Sequence, residues 1–240
     1  MQIQVLLLLS RAFLLLSGAW AGEIIGGHEA KPHSRPYMAY LQSQEGANYS
    51  GCGGFLVSEN FVLTAAHCQG DSITVVLGAH NIEQREPRQQ VIRVRRQIPH
   101  PQYNRETLKN DIMLLQLQRK VRRDGYVNVI SLPSANQRVP PESHCSVAGW
   151  GRTHADSEWV SDTLQEVELD VVEDELCEEY HHYNATTMMC GGDPEEGKSS
   201  FQGDSGGPLV CGKTAQGLVS RGSDDGTPPA VYTRKTMRRP

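Results

Sequence analysis

The chain has 240 residues, 38% of them hydrophobic and 21% charged, a balance that excludes disorder, collagen and coiled coil and leaves enough apolar material for real cores. Lysine and arginine total 23 against 28 aspartate and glutamate, a net charge of −5, so no global basic field recruits nucleic acid. Twenty-three glycines and 13 prolines point to many turns and short strands, in one large all-β unit or two barrels of ~100–120 residues each.

Val5–Leu9 and Ala12–Leu16 form an apolar block, and Ala19-Trp20-Ala21 after it carries the small residues that signal peptidase requires. Arg11 interrupts the block, and no lysine or arginine precedes it. The uninterrupted apolar run falls short of the ~18 residues that span a bilayer. Residues 1–21 are therefore expected to be a cleaved signal peptide, with no stable membrane insertion. Secretion permits disulfides, and six cysteines fit three bridges without fixing their pairing.

Beyond residue 21 there is no low-complexity stretch, linker or legible repeat. Strand-like runs follow at Tyr37–Gln42, Phe55–Val57, Phe61–Ala65, Ile73–Gly78, Val91–Ile98 and Ile112–Leu117. A second set follows at Ser146–Gly149, Val167–Val171, Leu209–Cys211, Leu218–Ser220 and Ala230–Thr233. Val167, Leu169 and Val171 alternate with Glu168 and Asp170, the pattern of a half-buried strand. Glu173–Tyr180, with acids at its start where the dipole favours them, is expected to be the one short helix. Residues 131–141, proline at positions 133 and 141, read as a crossing between two halves.

Charge is uneven. Residues 85–123 hold 11 lysines or arginines against three acids, whereas residues 155–204 hold 15 acids against one lysine. Two solvated faces of opposite sign are the simpler reading. A docking patch for sulfated glycosaminoglycan, built from Arg93–Arg96 and Arg119–Arg123, is the other, and it requires those residues to converge.

Three motifs carry chemistry. Thr64-Ala65-Ala66-His67-Cys68 sets a histidine after a strand. Asn110-Asp111-Ile112-Met113-Leu114-Leu115 sets a carboxylate at the mouth of an apolar strand, where it is costly without partners. Gly203-Asp204-Ser205-Gly206-Gly207-Pro208 presents a serine between glycines, so that backbone N–H groups can approach a substrate carbonyl. Histidine, aspartate and serine are the inventory of nucleophilic acyl transfer. The order decides between folds. The Gly203–Gly207 run also satisfies the elbow of α/β-hydrolases, but that fold needs a histidine after the serine, and all nine histidines lie at or before His182. The subtilisin order fails because no aspartate precedes His67. The chymotrypsin order remains.

From Ile24 to Arg234 the chain resembles the chymotrypsin-family serine proteases, and within them the branch of granzymes, cathepsin G and mast-cell chymase. The longest shared runs are with chymase: Ile24-Ile25-Gly26-Gly27, Lys31–Leu41, Gly149-Trp150-Gly151-Arg152-Thr153 and Asp162–Val167. The resemblance implies an all-β fold of two perpendicular six-stranded antiparallel barrels, occupying residues 24–240, with the site between them. It implies that Ser205 attacks the scissile carbonyl, His67 moves the proton, and Asp111 holds the imidazole tautomer. Gly203 and Ser205 would supply the oxyanion N–H groups, and Ser220, Arg221 and Gly222 would pair with the substrate backbone. The implied bridges are Cys52–Cys68, Cys145–Cys211 and Cys177–Cys190.

Further expectations follow from the likeness. Gly22-Glu23 would be an activation dipeptide, removed by a dipeptidyl peptidase so that the Ile24 ammonium can pair with Asp204. Ser199, six residues before Ser205, would floor the specificity pocket. With Ser199, Gly222 and Ala230 bringing no charge, cleavage after Phe, Tyr or Leu is expected of a secreted or granule-stored leukocyte or mast-cell protease acting on protein substrates. A granzyme-like enzyme of different preference, or an inactive relative that only binds, is the alternative. Asn48 and Asn184 head Asn-x-Ser/Thr sequons, expected glycosylation sites. No cofactor or metal is expected, and His181-His182 reads as an exposed pair rather than half a zinc site. After Arg234 the family continues into an amphipathic helix. Lys235–Pro240 is too short for one, so the helix is expected to be missing and the domain destabilised.

Overall fold

The computed structural model describes residues 24–134 and 138–234. The expectations for residues 1–21, for Gly22-Glu23 and for Lys235–Pro240 lie outside the described residues, as does the middle of the 131–141 crossing. After a two-residue strand β1 (His28–Glu29), six strands build the first barrel: β2 (Met38–Glu45), β3 (Asn48–Ser58), β4 (Phe61–Thr64), β5 (Ser72–Leu77), β6 (Gln90–Pro99) and β7 (Met113–Leu117). They close in the order β2-β3-β4-β7-β6-β5. The second barrel uses β8 (His144–Gly149), β9 (Gln165–Val172), β10 (Met188–Gly192), β11 (Pro208–Cys211), β12 (Thr214–Arg221) and β13 (Ala230–Arg234). Its sheet runs β9-β10-β13-β12-β11-β8, the β8–β9 pairing closes it, and β1 adds outside β9.

Alternation explains most of these strands, because successive side chains leave opposite faces. In β9, Val167, Leu169 and Val171 are buried and fill the second barrel with Val147, Leu209 and Tyr232. Leu41, Leu56, Val75, Met113 and Leu115 fill the first. Two further cores join the barrels. Phe55, Leu63 and Ile112 of the first pack with Val210, Ala215 and Leu218 of the second. Met38 and Ala79 pack with Ala148, Trp150 and Leu164, where the Trp150 indole N–H donates to the His80 carbonyl at 3.0 Å. Burying such side chains is worth about 1.5–3 kcal/mol each, so these two cores fasten the barrels to one another.

The three disulfides join Cys52 to Cys68, Cys145 to Cys211 and Cys177 to Cys190, the pairing the resemblance implied. The expected helix over Glu173–Tyr180 is instead a four-residue 3-10 turn, Asp174–Cys177. A single turn does not propagate without a long span, and here buried Cys177 is tied to β10. No helix among the described residues is long and apolar enough to cross a membrane.

Candidate active site

Asp111 lies just before β7, at the seam between the barrels. It is fully buried, and every reason to expel a bare carboxylate applies. Three donors satisfy it: the His67 backbone N–H reaches Oδ1 at 2.9 Å, His67 Nδ1 lies 2.7 Å from Oδ2, and Ser220 Oγ donates to Oδ2 at 2.6 Å. With Nδ1 carrying the proton toward Asp111, Nε2 is left as the basic nitrogen of a ring that is 26% exposed. His67 sits in the 3-10 turn Ala66–Cys68, which the Cys52–Cys68 bridge ties to β3. Closing that loop is worth roughly 3 kcal/mol in the chain-entropy view. Between them, β7, β12 and one disulfide-bound turn bring His67, Asp111 and Ser220 together.

Ser205 occupies the turn between Phe201 and β11. Its carbonyl accepts the Gly53 N–H of the first barrel at 2.8 Å, so the second barrel's serine is seated on the first barrel's wall. The glycines make that approach possible. Gly206 has φ +81°, and a Cβ there would lie 2.1 Å from Thr64 Oγ1 and 2.6 Å from the Gly53 carbonyl. Thr64 Oγ1 in turn donates to that carbonyl at 2.7 Å. Sequence reasoning passed over Gly53 and Thr64, whose role appears only when the barrels dock.

Within the same turn the N–H groups of Asp204, Gly206 and Gly207 donate to Phe201, Val219 and Asp204 carbonyls. Those of Gly203 and Ser205 donate to nothing among the described residues. On these half-buried residues, two free N–H groups beside a serine hydroxyl can receive the oxygen of a tetrahedral intermediate. Gly203 has φ +100°, and a Cβ there would meet the Gly151 Cα at 2.7 Å.

Asp204, next to the serine, is fully buried as well. It accepts the N–H of Gly151 on Oδ1 and of Phe201 on Oδ2, each at 2.9 Å, and no cation reaches it among the described residues. Burial pushes its pKa up to about 7 despite those two donors. Ile24 is fully buried in the core of the second barrel. The Ile25 carbonyl accepts the Ser199 N–H at 3.1 Å. Ser199 is buried, and its hydroxyl turns to the Ser200 carbonyl at 3.0 Å. Ala230 is buried, and a Cβ on exposed Gly222 would touch it at ordinary contact distance, 3.7 Å.

One group among the described residues has metal-ligand atoms within 4.8 Å of one another: Cys52, His67 and Cys68. Both sulfurs are spent in a disulfide, so no thiolate is offered. The rings of His181 and His182 lie 3.8 Å apart with no third ligand grouped beside them. Asn48 stands exposed at the tip of the β2–β3 hairpin, and the Asn184 side-chain Oδ1 accepts the Thr186 N–H at 2.9 Å. Part of the basic stretch does converge. Arg119 donates to the Val91 carbonyl at 3.3 Å, and the Arg93 carbonyl accepts the Gln118 N–H at 3.0 Å. Lys120, however, pairs with Glu59 at 3.1 Å.

Two closed barrels with an imidazole held by a buried carboxylate, beside a serine whose turn offers unpaired N–H groups, are the arrangement of a chymotrypsin-like serine protease. The family model described as Trypsin matches residues 24–239. The chain is 56% identical to granzyme B of Homo sapiens over 244 residues, covering 97% of this chain and 98% of that protein. It is 56% identical to cathepsin G of Homo sapiens, covering 95% and 89%, and 57% identical to mast cell protease 3 of Ovis aries, covering 96% and 91%. A solved structure titled "Structure of GrC" superposes with a TM-score of 0.84 at 50% identity, covering 88% of this chain and 94% of that one. The chain belongs to the trypsin family of serine proteases; it is a serine endopeptidase, and its substrates are proteins or peptides.

Proposed function

We propose that this protease cleaves after large apolar residues, chiefly Phe and Tyr, by an acyl-enzyme mechanism run by Ser205, His67 and Asp111. The carrying observation is the buried Asp111 carboxylate, bonded to both the His67 backbone and its Nδ1 and to Ser220. That bonding fixes one tautomer. Nε2 takes the Ser205 proton as Oγ attacks the carbonyl carbon, the N–H groups of Gly203 and Ser205 hold the oxyanion, and Nε2 returns the proton to the leaving amine. Water then repeats the sequence on the ester. The preference rests on Ser199, Gly222 and Ala230, which set no charge against the incoming side chain. A missing charge pair outweighs the ~1–3 kcal/mol of a methylene in deciding which class of residue enters.

Activation belongs to the same proposal. Removal of Gly22-Glu23 frees the Ile24 ammonium, which pairs with Asp204 and fixes the turn carrying the oxyanion donors. Secretion or granule storage, glycans on Asn48 and Asn184, and weak glycosaminoglycan binding along Arg93–Arg119 complete the reading. The apolar N-terminal block and the mast-cell relative support the first of these. Peptides differing only in the residue before the cleaved bond test the preference, with Ser205→Ala as control. Turnover led by Phe and Tyr and abolished in the variant is expected. A profile led by Lys, Arg or Asp contradicts the pocket, and wild-type turnover by Ser205→Ala contradicts the nucleophile.

A further inference from the structure

Arg221, the last residue of β12, follows the serine that bonds Asp111 and precedes Gly222. Its guanidinium is unpaired. Nε and Nη2 are both closed to water, and among the described residues they have no hydrogen-bond partner and no carboxylate within ion-pair distance. Cζ lies 5.6 Å from the centre of the Tyr180 ring. That ring is fixed, because its hydroxyl donates to the Pro229 carbonyl at 2.7 Å and the Tyr180 backbone N–H donates to the Cys177 carbonyl at 3.0 Å. Burial lowers the Arg221 pKa, against the pull of Tyr180 and Asp111.

The surroundings are mixed in charge. The His182 pKa is lowered by burial first, then by the nearby cationic groups of His181, Lys109 and Arg221, with Glu106 opposing. Of the neighbouring acids, Asp225 is already occupied by Ser223 Oγ at 2.5 Å and the Thr227 N–H at 3.0 Å. Asp111 is occupied by His67 and Ser220. A buried donor without a partner is costly, so the resting pose favours any acceptor that turns the guanidinium off the ring. Nε–H and Nη2–H form one edge of the planar fork, the edge that matches a carboxylate with two parallel bonds.

We infer that Arg221 is a specificity-determining residue that takes an acidic substrate side chain, Asp or Glu, at the second or fourth residue before the cleaved bond. The inference rests on the proposed strand pairing of the substrate with Ser220–Gly222. If the residue before the cleaved bond lies opposite Ser220 and the third opposite Gly222, the second lies opposite Arg221. Opposed side chains on antiparallel strands share a face, and alternation adds the fourth. The third position points away.

The test uses peptide sets with one residue at the cleaved position and Glu or Gln at the second, third or fourth. It is run with Phe at the cleaved position and again with whichever residue the protein accepts best. The expected result is a Glu-over-Gln ratio in kcat/KM of about tenfold at the second or fourth position, equivalent to ~1.4 kcal/mol, and near unity at the third. That ratio falls toward one in Arg221→Gln, is partly kept in Arg221→Lys, and shrinks as salt is raised. Reading a ratio within each variant cancels general damage to the cleft. Equal turnover of Glu and Gln peptides by the wild type, or a ratio unchanged in Arg221→Gln, overturns the inference while leaving the apolar pocket standing. Failure of all Phe peptides with the ratio intact in another series overturns the pocket instead.

Discussion

Asp111 and Asp204 are both fully buried, and they differ in what meets them. Three donors converge on Asp111, among them an imidazole that can carry positive charge. Asp204 has two backbone N–H groups and no cation among the described residues, and burial raises its pKa to about 7. The Asp111 carboxylate has its full set of partners already. The Asp204 carboxylate lacks a cation among the described residues, and under the proposed activation the Ile24 α-amino group supplies one. On that proposal, readiness of the site separates into a built half and a half that waits on cleavage ahead of Ile24.

The built half fails most severely when its nucleophile is lost. Ser205→Ala is expected to lower kcat by roughly 10⁵–10⁶-fold, read from peptide turnover, because members of such a unit act together. Asp204→Asn separates the halves. In processed protein it removes one partner of a buried ion pair, a loss of about 3–5 kcal/mol in stability or in the ordering of the oxyanion turn. In the uncleaved chain the same change removes an unpaired buried carboxylate and raises the melting temperature at pH 8. Loss of stability in both forms would contradict the pairing.

The pH dependence sharpens the same contrast. Asp204 binds a proton more tightly folded, with its pKa near 7, than unfolded, near its ordinary 3.8. Its contribution to uncleaved-chain stability is thus full below pH 4 and is lost as pH rises through about 7. The difference approaches ~4 kcal/mol across that window. Denaturant midpoints of the uncleaved chain should fall from pH 5 to pH 8, and the Asp204→Asn variant should flatten that slope. Ser220→Ala leaves Asp111 with its two His67 contacts and removes one charge-assisted bond, so about a tenfold loss in kcat/KM is expected. The smallest effect is on mobility: glycosidase treatment of secreted protein should shift its gel position, and Asn48→Gln with Asn184→Gln should abolish the shift.

Legibility in the sequence divided along similar lines. Strands with one wet face, such as Val167–Val171 in β9, declared themselves by alternation. Met188–Gly192 did not, because all five residues of β10 are buried and a run ending in two glycines shows no period; His28–Glu29 was too short to show one. His67 and Ser205 stood in local motifs, whereas Asp111 gained meaning only from the order of the three. The contacts of Gly53, Thr64 and Gly151 were not legible, since each depends on segments far apart in the chain meeting at the seam. The missing partner of Arg221 belongs to the same class: an unpaired charge is a property of the packed molecule.

The most direct measurement compares two chains on a Phe-terminated peptide, one beginning at Ile24 and one at Gly22, each with its Ser205→Ala control. The chain beginning at Ile24 should hydrolyse the peptide at least ~100-fold faster, the factor that ~2.7 kcal/mol of turn ordering produces, with no turnover in either control. Equal turnover by the two chains would contradict the claim that Asp204 waits for the Ile24 ammonium.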